Sequence, residues 1–319
     1  MASSNIYFNL SSYRNSYSTL KKREYYRMAN NLRNLLTVRL ALWAWLLAEA
    51  GLLYWIIGDL TWAVASMLLL RFVAIGALSA YTSFYLNSQV LNTKQWLLLW
   101  LGEWWAFVLL FMGLQLLPKN WHETDIPVGQ KHVILVHGFF CNAGMWSPLA
   151  RRLERRGYTT SFVEMTALFG SLNVLADNLN TELKQVEQER PSVDISVVAF
   201  SMGGLAARYC LANLSTNPFR LITVHSPHKG TLLAGYIEKL GSRSAKQMAP
   251  GCDWLQSLEI AEAQLVDRPF TAIWSTNDTI VMPANNACYG HKTIEEVGKG
   301  HLFAVVDWQL HQCIFTELG

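Results

Sequence analysis

The sequence predicts an α/β domain with a mostly parallel sheet flanked by helices, preceded by an all-α transmembrane region. From about residue 131 onwards, short apolar runs alternate with helical patterns, which is typical of parallel sheets with helical crossovers. Before Pro118, three long apolar segments each approach the roughly 20 residues that cross a bilayer as a helix. The chain of 319 residues is also 51% hydrophobic, which is too apolar for an ordinary soluble enzyme.

The three apolar segments carry Trp and Tyr at their ends, where such rings favour the headgroup level of a membrane. They cover about residues 40–57, 62–81 and 96–117. The chain therefore divides into four parts. These are a basic leader over 1–36, a transmembrane region with three helices over 37–118, a linker over 119–130 and the α/β domain over 131–319.

The charge of the leader predicts the orientation in the membrane. Residues 1–40 contribute a charge of +6 to a chain whose net charge is only +3, and basic segments stay in the cytoplasm. Three crossings then place the α/β domain on the outer or periplasmic side of a multi-pass protein, which we expect in a bacterial inner membrane. A cleaved signal peptide is the alternative for the first segment, but its basic leader is too long and no small-residue cleavage site follows.

Two opposite charges within the apolar segments are expected to face each other. From the turn near Asp59, Glu49 lies ten residues back and Arg71 twelve residues forward, so their depths differ by only about 3 Å. An unpaired charge in hydrocarbon is costly. We predict a Glu49–Arg71 pair between the first two helices, with Glu103 of the third helix as another possible partner of Arg71. We interpret the pair as helix packing rather than a transport pathway.

Ser201 is the strongest candidate for a catalytic residue. Ile195 to Phe200 predicts a buried strand and Leu205 to Leu211 predicts a helix, so Ser201 lies on the turn between them. Such a strained turn projects a nucleophilic hydroxyl from the sheet edge. The small residues Ala199 and Gly203 fit this turn, because larger side chains would collide with the neighbouring strand and helix.

A serine nucleophile also needs a base and a carboxylate that orients the base. Asp278 follows a predicted strand over 269–275, and His301 lies in a glycine-containing loop after a predicted strand over 294–297. Asp253 and Asp267 compete with Asp278 as candidates, but neither follows a strand.

His291 competes with His301 and is expected to be a surface residue. Three other histidines resemble functional residues but are expected to hold loops by hydrogen bonds. They are His137, His225 and His228.

Four segments together resemble those of a bacterial lipase of the α/β-hydrolase superfamily. They are His137-Gly138 after a strand, the Ala199-to-Gly203 turn, the segment from Val224 to Thr231, and Gly300-His301. The resemblance extends from about residue 131 to about 312 and leaves out the first 120 residues. The turn departs from the usual pattern, because Ala199 stands where glycine is common.

The resemblance implies further site residues. The backbone N–H groups of Phe139 and Met202 would form the oxyanion hole, and His137 and Gly138 would shape its loop. Phe303 stands where calcium-dependent relatives carry an aspartate, so we expect no metal, and we expect no cofactor.

Cysteine content and the length of one connection add two expectations. By resemblance, Cys252 and Cys288 are a candidate disulfide pair among five cysteines. A small lid is expected over about 229–264, with helices around 235–240 and 254–263.

These features predict a membrane-anchored serine carboxylester hydrolase of the lipase or esterase type, a class that includes phospholipases, with Ser201, His301 and Asp278 as its triad. Its partners would be a lipid or ester substrate and the bilayer, with no nucleic acid; the sequence leaves the oligomeric state open. Two alternatives remain open. An acyltransferase would use the same triad, and a non-catalytic membrane protein would merely retain the fold.

Overall fold

The computed structural model describes residues 38–86, 91–116, 131–164, 170–215, 217, 219–264 and 270–319. The predicted leader, the linker and Asp267 lie outside the described residues.

Three long apolar helices form an N-terminal bundle. Two of them begin at residues whose side chains cap the first turn. The side chain of Asp59 caps α2 by accepting from the N–H of Trp62, and Asn92 and Gln95 form a capping box at α3. All three are long and apolar enough to cross a membrane by length and composition. They are α1 (Val38–Ile57), α2 (Leu60–Tyr81) and α3 (Thr93–Leu109), with π-helical turns at Thr82–Leu86 and Leu110–Leu114.

The predicted pairing of Glu49 and Arg71 is confirmed. The guanidinium of Arg71 donates to both carboxylate oxygens of Glu49, with Nη1 2.7 Å from Oε1. It also donates to the carbonyl of Met67 at 2.9 Å and lies 4.7 Å from the ring centroid of Trp45. Glu103 does not join this pair, because its side chain turns towards the α/β domain instead.

The α/β domain contains one six-stranded sheet in which every neighbouring pair is parallel, in the order β2-β1-β3-β4-β5-β6. This confirms the predicted parallel sheet flanked by helices. The strands are β1 (Lys131–Val136), β2 (Thr159–Val163), β3 (Asp194–Phe200), β4 (Arg220–Val224), β5 (Phe270–Ser275) and β6 (Lys292–Glu296). The helices are α4 (Ser147–Glu154), α5 (Leu172–Glu189), α6 (Met202–Asn213), α7 (Leu232–Glu238), α8 (Arg243–Gln247), α9 (Asp253–Glu262), α10 (Phe303–Val306) and α11 (Trp308–Leu318).

Two local features differ from the predicted helices. The helical pattern from Leu302 to Phe315 predicts one continuous helix. The structure divides it into α10 and α11, because the side chain of Asp307 caps α11 by accepting from the N–H of Gln309. The predicted lid region contains α7 and α9 and also α8, whose start is capped by Ser242.

The bundle packs directly against one face of the sheet domain rather than standing apart from it. Leu42 of α1 and Leu110 after α3 belong to the same buried apolar cluster as Trp146 and Ile314. A Cβ at Gly102 would lie 3.3 Å from the ring of Phe303, so a residue without a side chain permits this close approach. Apolar side chains of α1 and of the segment after α3 are thus buried against the α/β domain, so the bundle and this domain share one hydrophobic core.

Replacing only one member of the Glu49–Arg71 pair should destabilise the protein. Arg71→Leu leaves the Glu49 carboxylate without its partner, at a cost of at most about 3–5 kcal/mol because the site is not fully closed. The double variant with Glu49→Leu should recover most of this loss, measured as the unfolding temperature in detergent. Equal loss in the single and double variants would contradict this account.

Candidate active site

Ser201 occupies the tight turn between β3 and α6 with a φ of 53° and a ψ of −124°. This conformation is strained for a residue with a side chain, and the hydrogen bond from its N–H to the carbonyl of Val224 at 2.8 Å helps to hold it. A Cβ at Gly203 would lie 2.6 Å from the carbonyl oxygen of His137. Ala199 is completely buried within β3. Ala199 and Gly203 therefore occupy positions at which a larger side chain would collide with neighbouring atoms.

Ser201, His301 and Asp278 come together in the structure. Nε2 of His301 lies 3.0 Å from Oγ of Ser201, and Nδ1 lies 3.0 and 2.9 Å from the two carboxylate oxygens of Asp278. All three side chains are buried. The chain of contacts allows His301 to take a proton from Ser201 while Asp278 orients the ring.

Further groups hold Asp278 in its ionised form. Its Oδ1 accepts hydrogen bonds from the N–H groups of Ile280 and Val281, both at 2.8 Å. Burial opposes ionisation, but His301 and His225 outweigh it and hold the pKa of Asp278 far below its ordinary value. The carboxylate is thus available to stabilise a positive charge on His301.

His225 is a buried neighbour of the triad. Its Nδ1 lies 3.1 Å from Oδ2 of Asp278, and its Nε2 lies 3.8 Å from Oε2 of Glu296. Neither contact has hydrogen-bond alignment. Burial lowers the pKa of His225, but the two carboxylates outweigh it and raise the pKa to about 9.

The predicted oxyanion loop follows β1 and is held by an ion pair. Nε2 of His137 lies 3.1 Å from Oε2 of Glu164, whose other oxygen accepts from the N–H of Ala143 at 2.7 Å. Burial lowers the pKa of His137, but Glu164 outweighs this and raises it. A Cβ at Gly138 would lie 3.1 Å from Cβ of Ser201, so the loop passes close to this candidate nucleophile.

The two predicted oxyanion donors both belong to segments that lie close to Ser201. Met202 is the first residue of α6, and the first N–H groups of a helix lack partners within the helix. Phe139 follows Gly138, and its side chain lines the cavity at Ser201.

The remaining candidates lie away from the triad. His228 is buried beside Thr223, with 2.9 Å between Nε2 and Oγ1; burial and the nearby Arg208 keep its pKa well below the ordinary value. His291 is exposed before β6, and Asp253 begins α9.

Cys252 and Cys288 are separate free thiols, so the candidate disulfide is wrong in this structure. Cys252 instead donates to the carbonyl of Gln247 at the start of the connection to α9.

Glu103 is a site residue that sequence reasoning missed. It extends from α3 and is almost fully buried. One carboxylate oxygen accepts from Oγ1 of Thr279 at 2.7 Å, and the other accepts from the N–H of Phe303 at 2.8 Å. Thr279 directly follows Asp278, and its Oγ1 also accepts from the N–H of His301 at 3.4 Å. Glu103 therefore links the bundle to both loops that carry the predicted base and carboxylate.

A small apolar cavity of about 50 Å³ adjoins Ser201. Leu233, Ala234 and Ile237 of α7 line one side of it, and Ile280 and Val281 line another. α7, which lies within the region predicted as a small lid, therefore borders the cavity at Ser201.

One group of potential metal ligands occurs among the described residues: His225, Asp278 and His301, whose ligand atoms lie within 4.8 Å of one another. In the structure, His301 is hydrogen-bonded through Nδ1 to Asp278 and through Nε2 to Ser201. A cation at this position would compete with these contacts.

The raised pKa of His225 makes its contribution to stability depend on pH. A group whose pKa is higher in the folded state stabilises it fully below its ordinary pKa of about 6.5 and loses that contribution as the pH rises through about 9. His225→Gln should therefore lower the unfolding temperature most near pH 6 and progressively less towards pH 9.5. Exposed His291→Gln is the control for losing an imidazole. A difference that grows with pH would refute the proposed charge pairing.

Removing the Glu103 carboxylate should slow catalysis more than it weakens substrate binding. Glu103→Ala leaves Thr279 Oγ1 and the Phe303 N–H without their acceptor, so the loops carrying Asp278 and His301 lose their alignment. We expect kcat to fall roughly 10–100-fold with little change in KM, and Glu103→Gln to restore part of it through its remaining acceptor oxygen. Glu49→Gln, a carboxylate change in the same bundle, is the control; an equal fall there would contradict a specific role.

Sequence comparison connects this site to known hydrolases. A family model described as "Putative serine esterase (DUF676)" matches residues 128–249, which include the oxyanion loop and Ser201. Triacylglycerol lipase 2 of Saccharomyces cerevisiae is 28% identical over 102 residues, which are 30% of this chain and 31% of the yeast protein. The chain thus matches about a third of the length of this curated relative.

Structural comparison identifies the fold. The mature lipase BlEst2 of Bacillus licheniformis matches with a TM-score of 0.50 at 17% identity, covering 58% of this chain and 90% of the lipase. At this identity the match bears on architecture alone, and it agrees with the parallel sheet and its flanking helices. The chain has the α/β-hydrolase fold, and its sequence similarities support an enzyme of the serine esterase and lipase type.

Proposed function

We propose that the protein is a membrane-anchored serine carboxylester hydrolase that cleaves acyl esters of lipids. The observation that carries the proposal is the unbroken series of contacts from Ser201 through His301 to Asp278, all within 3.0 Å on buried side chains. This arrangement supplies a nucleophile, a base and an orienting carboxylate in one place.

On this proposal, Oγ of Ser201 attacks the ester carbonyl while Nε2 of His301 takes its proton. The N–H groups of Phe139 and Met202 stabilise the negative oxygen of the tetrahedral intermediate. His301 then returns the proton to the leaving alcohol, and the acyl group remains on Ser201. Water attacks the acyl-enzyme with His301 again as base, which releases a carboxylic acid and restores Ser201. Throughout, Asp278 stabilises the positive imidazole.

Two apolar surfaces support lipids as the substrate class. Leu232, Tyr236 and Leu240 are exposed along and just after α7, on the helix that covers Ser201. The bundle also exposes large rings, with Trp55 81% and Trp62 66% exposed. Such surfaces favour contact with a bilayer. A bilayer-bound enzyme meets lipid esters at high effective concentration, so we propose phospholipids, lysophospholipids or acylglycerols as substrates.

The proposed topology has the N-terminus in the cytoplasm and the hydrolase domain on the opposite side, which in a bacterium would be the periplasmic side of the inner membrane. It rests on the basic leader and the three apolar helices. Glu103, near the middle of α3, accepts from the N–H of Phe303, two residues after His301. On this proposal the active site is therefore held directly against the bundle rather than on a flexible stalk.

Labelling with a fluorophosphonate probe on intact and permeabilised cells tests activation and sidedness together. The wild-type protein should be labelled in intact cells, Ser201→Ala should not be labelled, and exposed Ser257→Ala should behave as the wild type. Labelling that persists in Ser201→Ala would exclude this serine as the nucleophile. Labelling that requires permeabilisation would reverse the proposed topology.

The substrate class is tested with lipids in mixed micelles beside water-soluble short-chain esters. We expect lipid esters to be preferred, with free fatty acid as the product. A preference for acetate esters with no response to lipid would refute the lipid assignment. Transfer of the acyl group to an added acceptor alcohol, without free acid, would indicate an acyltransferase.

A further inference from the structure

A second cavity, of about 380 Å³, lies where the bundle meets the oxyanion loop. All of its lining side chains are apolar. They include Ala41, Leu42 and Trp45 of α1, Phe107 of α3, Phe111 of the following π-helical turn, and Phe140 of the loop after β1. This cavity is therefore built jointly by the membrane-anchor region and the hydrolase domain.

Two adjacent phenylalanines border this cavity and the one at Ser201. Phe139 lines the cavity at Ser201, and Phe140 lines the larger one. Their rings are 4.7 Å apart between centroids and nearly perpendicular. The positive φ of 55° at Phe140 is unusual for a residue with a side chain, and it marks the point where the loop turns from one cavity to the other.

The sizes of the two cavities assign them different parts of a substrate. The cavity at Ser201 holds only about 50 Å³, which accommodates the reacting ester group but not a long chain. Sites for ligands of moderate size have volumes of about 300–1,000 Å³, and the second cavity falls within this range. An acyl chain attached to Ser201 must leave the small cavity, and an apolar space beyond Phe139 is suited to receive it.

The contacts of Glu103 with the loops that carry Asp278 and His301 fix the position of the larger cavity relative to Ser201. Glu103 binds Thr279 and the N–H of Phe303, while Phe107 lies one helical turn further along the same helix. The contacts of Glu103 therefore fix the same part of α3 that lines the cavity.

We propose that the cavity between α1, α3 and Phe140 binds the fatty acyl chain of the ester substrate. The inference rests on the proposed ester hydrolysis at Ser201. The chain passes the Phe139–Phe140 pair and lies between the two helices, so the N-terminal bundle determines which acyl lengths are accepted. The lining residues Ala41 and Leu42 are next in sequence to Leu40 and Trp43, whose apolar side chains are exposed, so on this proposal a chain enters the cavity from the bilayer side.

Filling the cavity tests the proposal in the detergent-purified full-length protein. Ala41→Leu and Ala41→Trp place a progressively larger side chain at its edge, and p-nitrophenyl esters from butyrate to palmitate report chain-length preference. We expect the ratio of kcat/KM for palmitate to that for butyrate to fall at least ten-fold with Trp and by less with Leu. Leu47→Trp, on the same helix but at a 65% exposed position, should keep the wild-type ratio.

The outcomes separate this inference from the proposed function. A wild-type protein that hydrolyses none of the esters would refute the proposed function itself. Hydrolysis by the wild type with the same chain-length ratio in both Ala41 variants would overturn the acyl site alone. A changed unfolding temperature without a changed ratio would also overturn it, because the substitution would then alter packing without altering the selection of acyl chains. If Ala41→Trp fails to fold, the ratio of kcat/KM for palmitate to that for butyrate in Ala41→Leu tests the proposal instead.

Discussion

The parallel pairing of the four central strands determines where every candidate catalytic group lies. Because β1, β3, β4 and β5 run in the same direction, the residues that follow them emerge at one edge of the sheet. His137, Ser201 and His225 each come directly after a strand, and Asp278 follows three residues beyond the end of β5. The site is therefore assembled from loops far apart in sequence, and it contacts both α7 and the bundle.

Several ionisable side chains meet at this edge away from water, and each carboxylate has a defined partner. Asp278 lies between His301 and His225, Glu164 contacts His137, and a hydroxyl and a backbone N–H bind Glu103. Unpaired buried charges are costly, whereas paired and hydrogen-bonded ones hold their neighbours in fixed positions. These ion pairs and hydrogen bonds thus offset the cost of burying the carboxylates, and they also position the loops that carry the candidate catalytic residues.

Features coded by local sequence could be predicted, whereas those that depend on packing could not. Strand-turn-helix patterns are local, so the turn at Ser201 and the strand before Asp278 were readable, and counting along two helices joined by a short turn was enough to pair Glu49 with Arg71. Glu103 is different, because which face of α3 meets the hydrolase domain is decided by contacts 200 residues away. The division of the C-terminal helix at Asp307 and the joint apolar cavity likewise depend on tertiary neighbours. The predicted Cys252–Cys288 bridge came from resemblance alone.

The long sequence separation between Glu103 and Phe303 has a consequence for biogenesis. At about 5–20 residues per second, translation reaches Phe303 roughly 10–40 seconds after Glu103. During that interval α3 carries an acidic group in an apolar helix whose eventual partners have not yet been synthesised. Docking of the newly made C-terminal segment then satisfies Glu103 and brings His301 to Ser201 in the same event. On the proposed function, docking of the bundle and acquisition of hydrolytic activity are thereby coupled, because the contacts of Glu103 form only after the C-terminal segment has been synthesised.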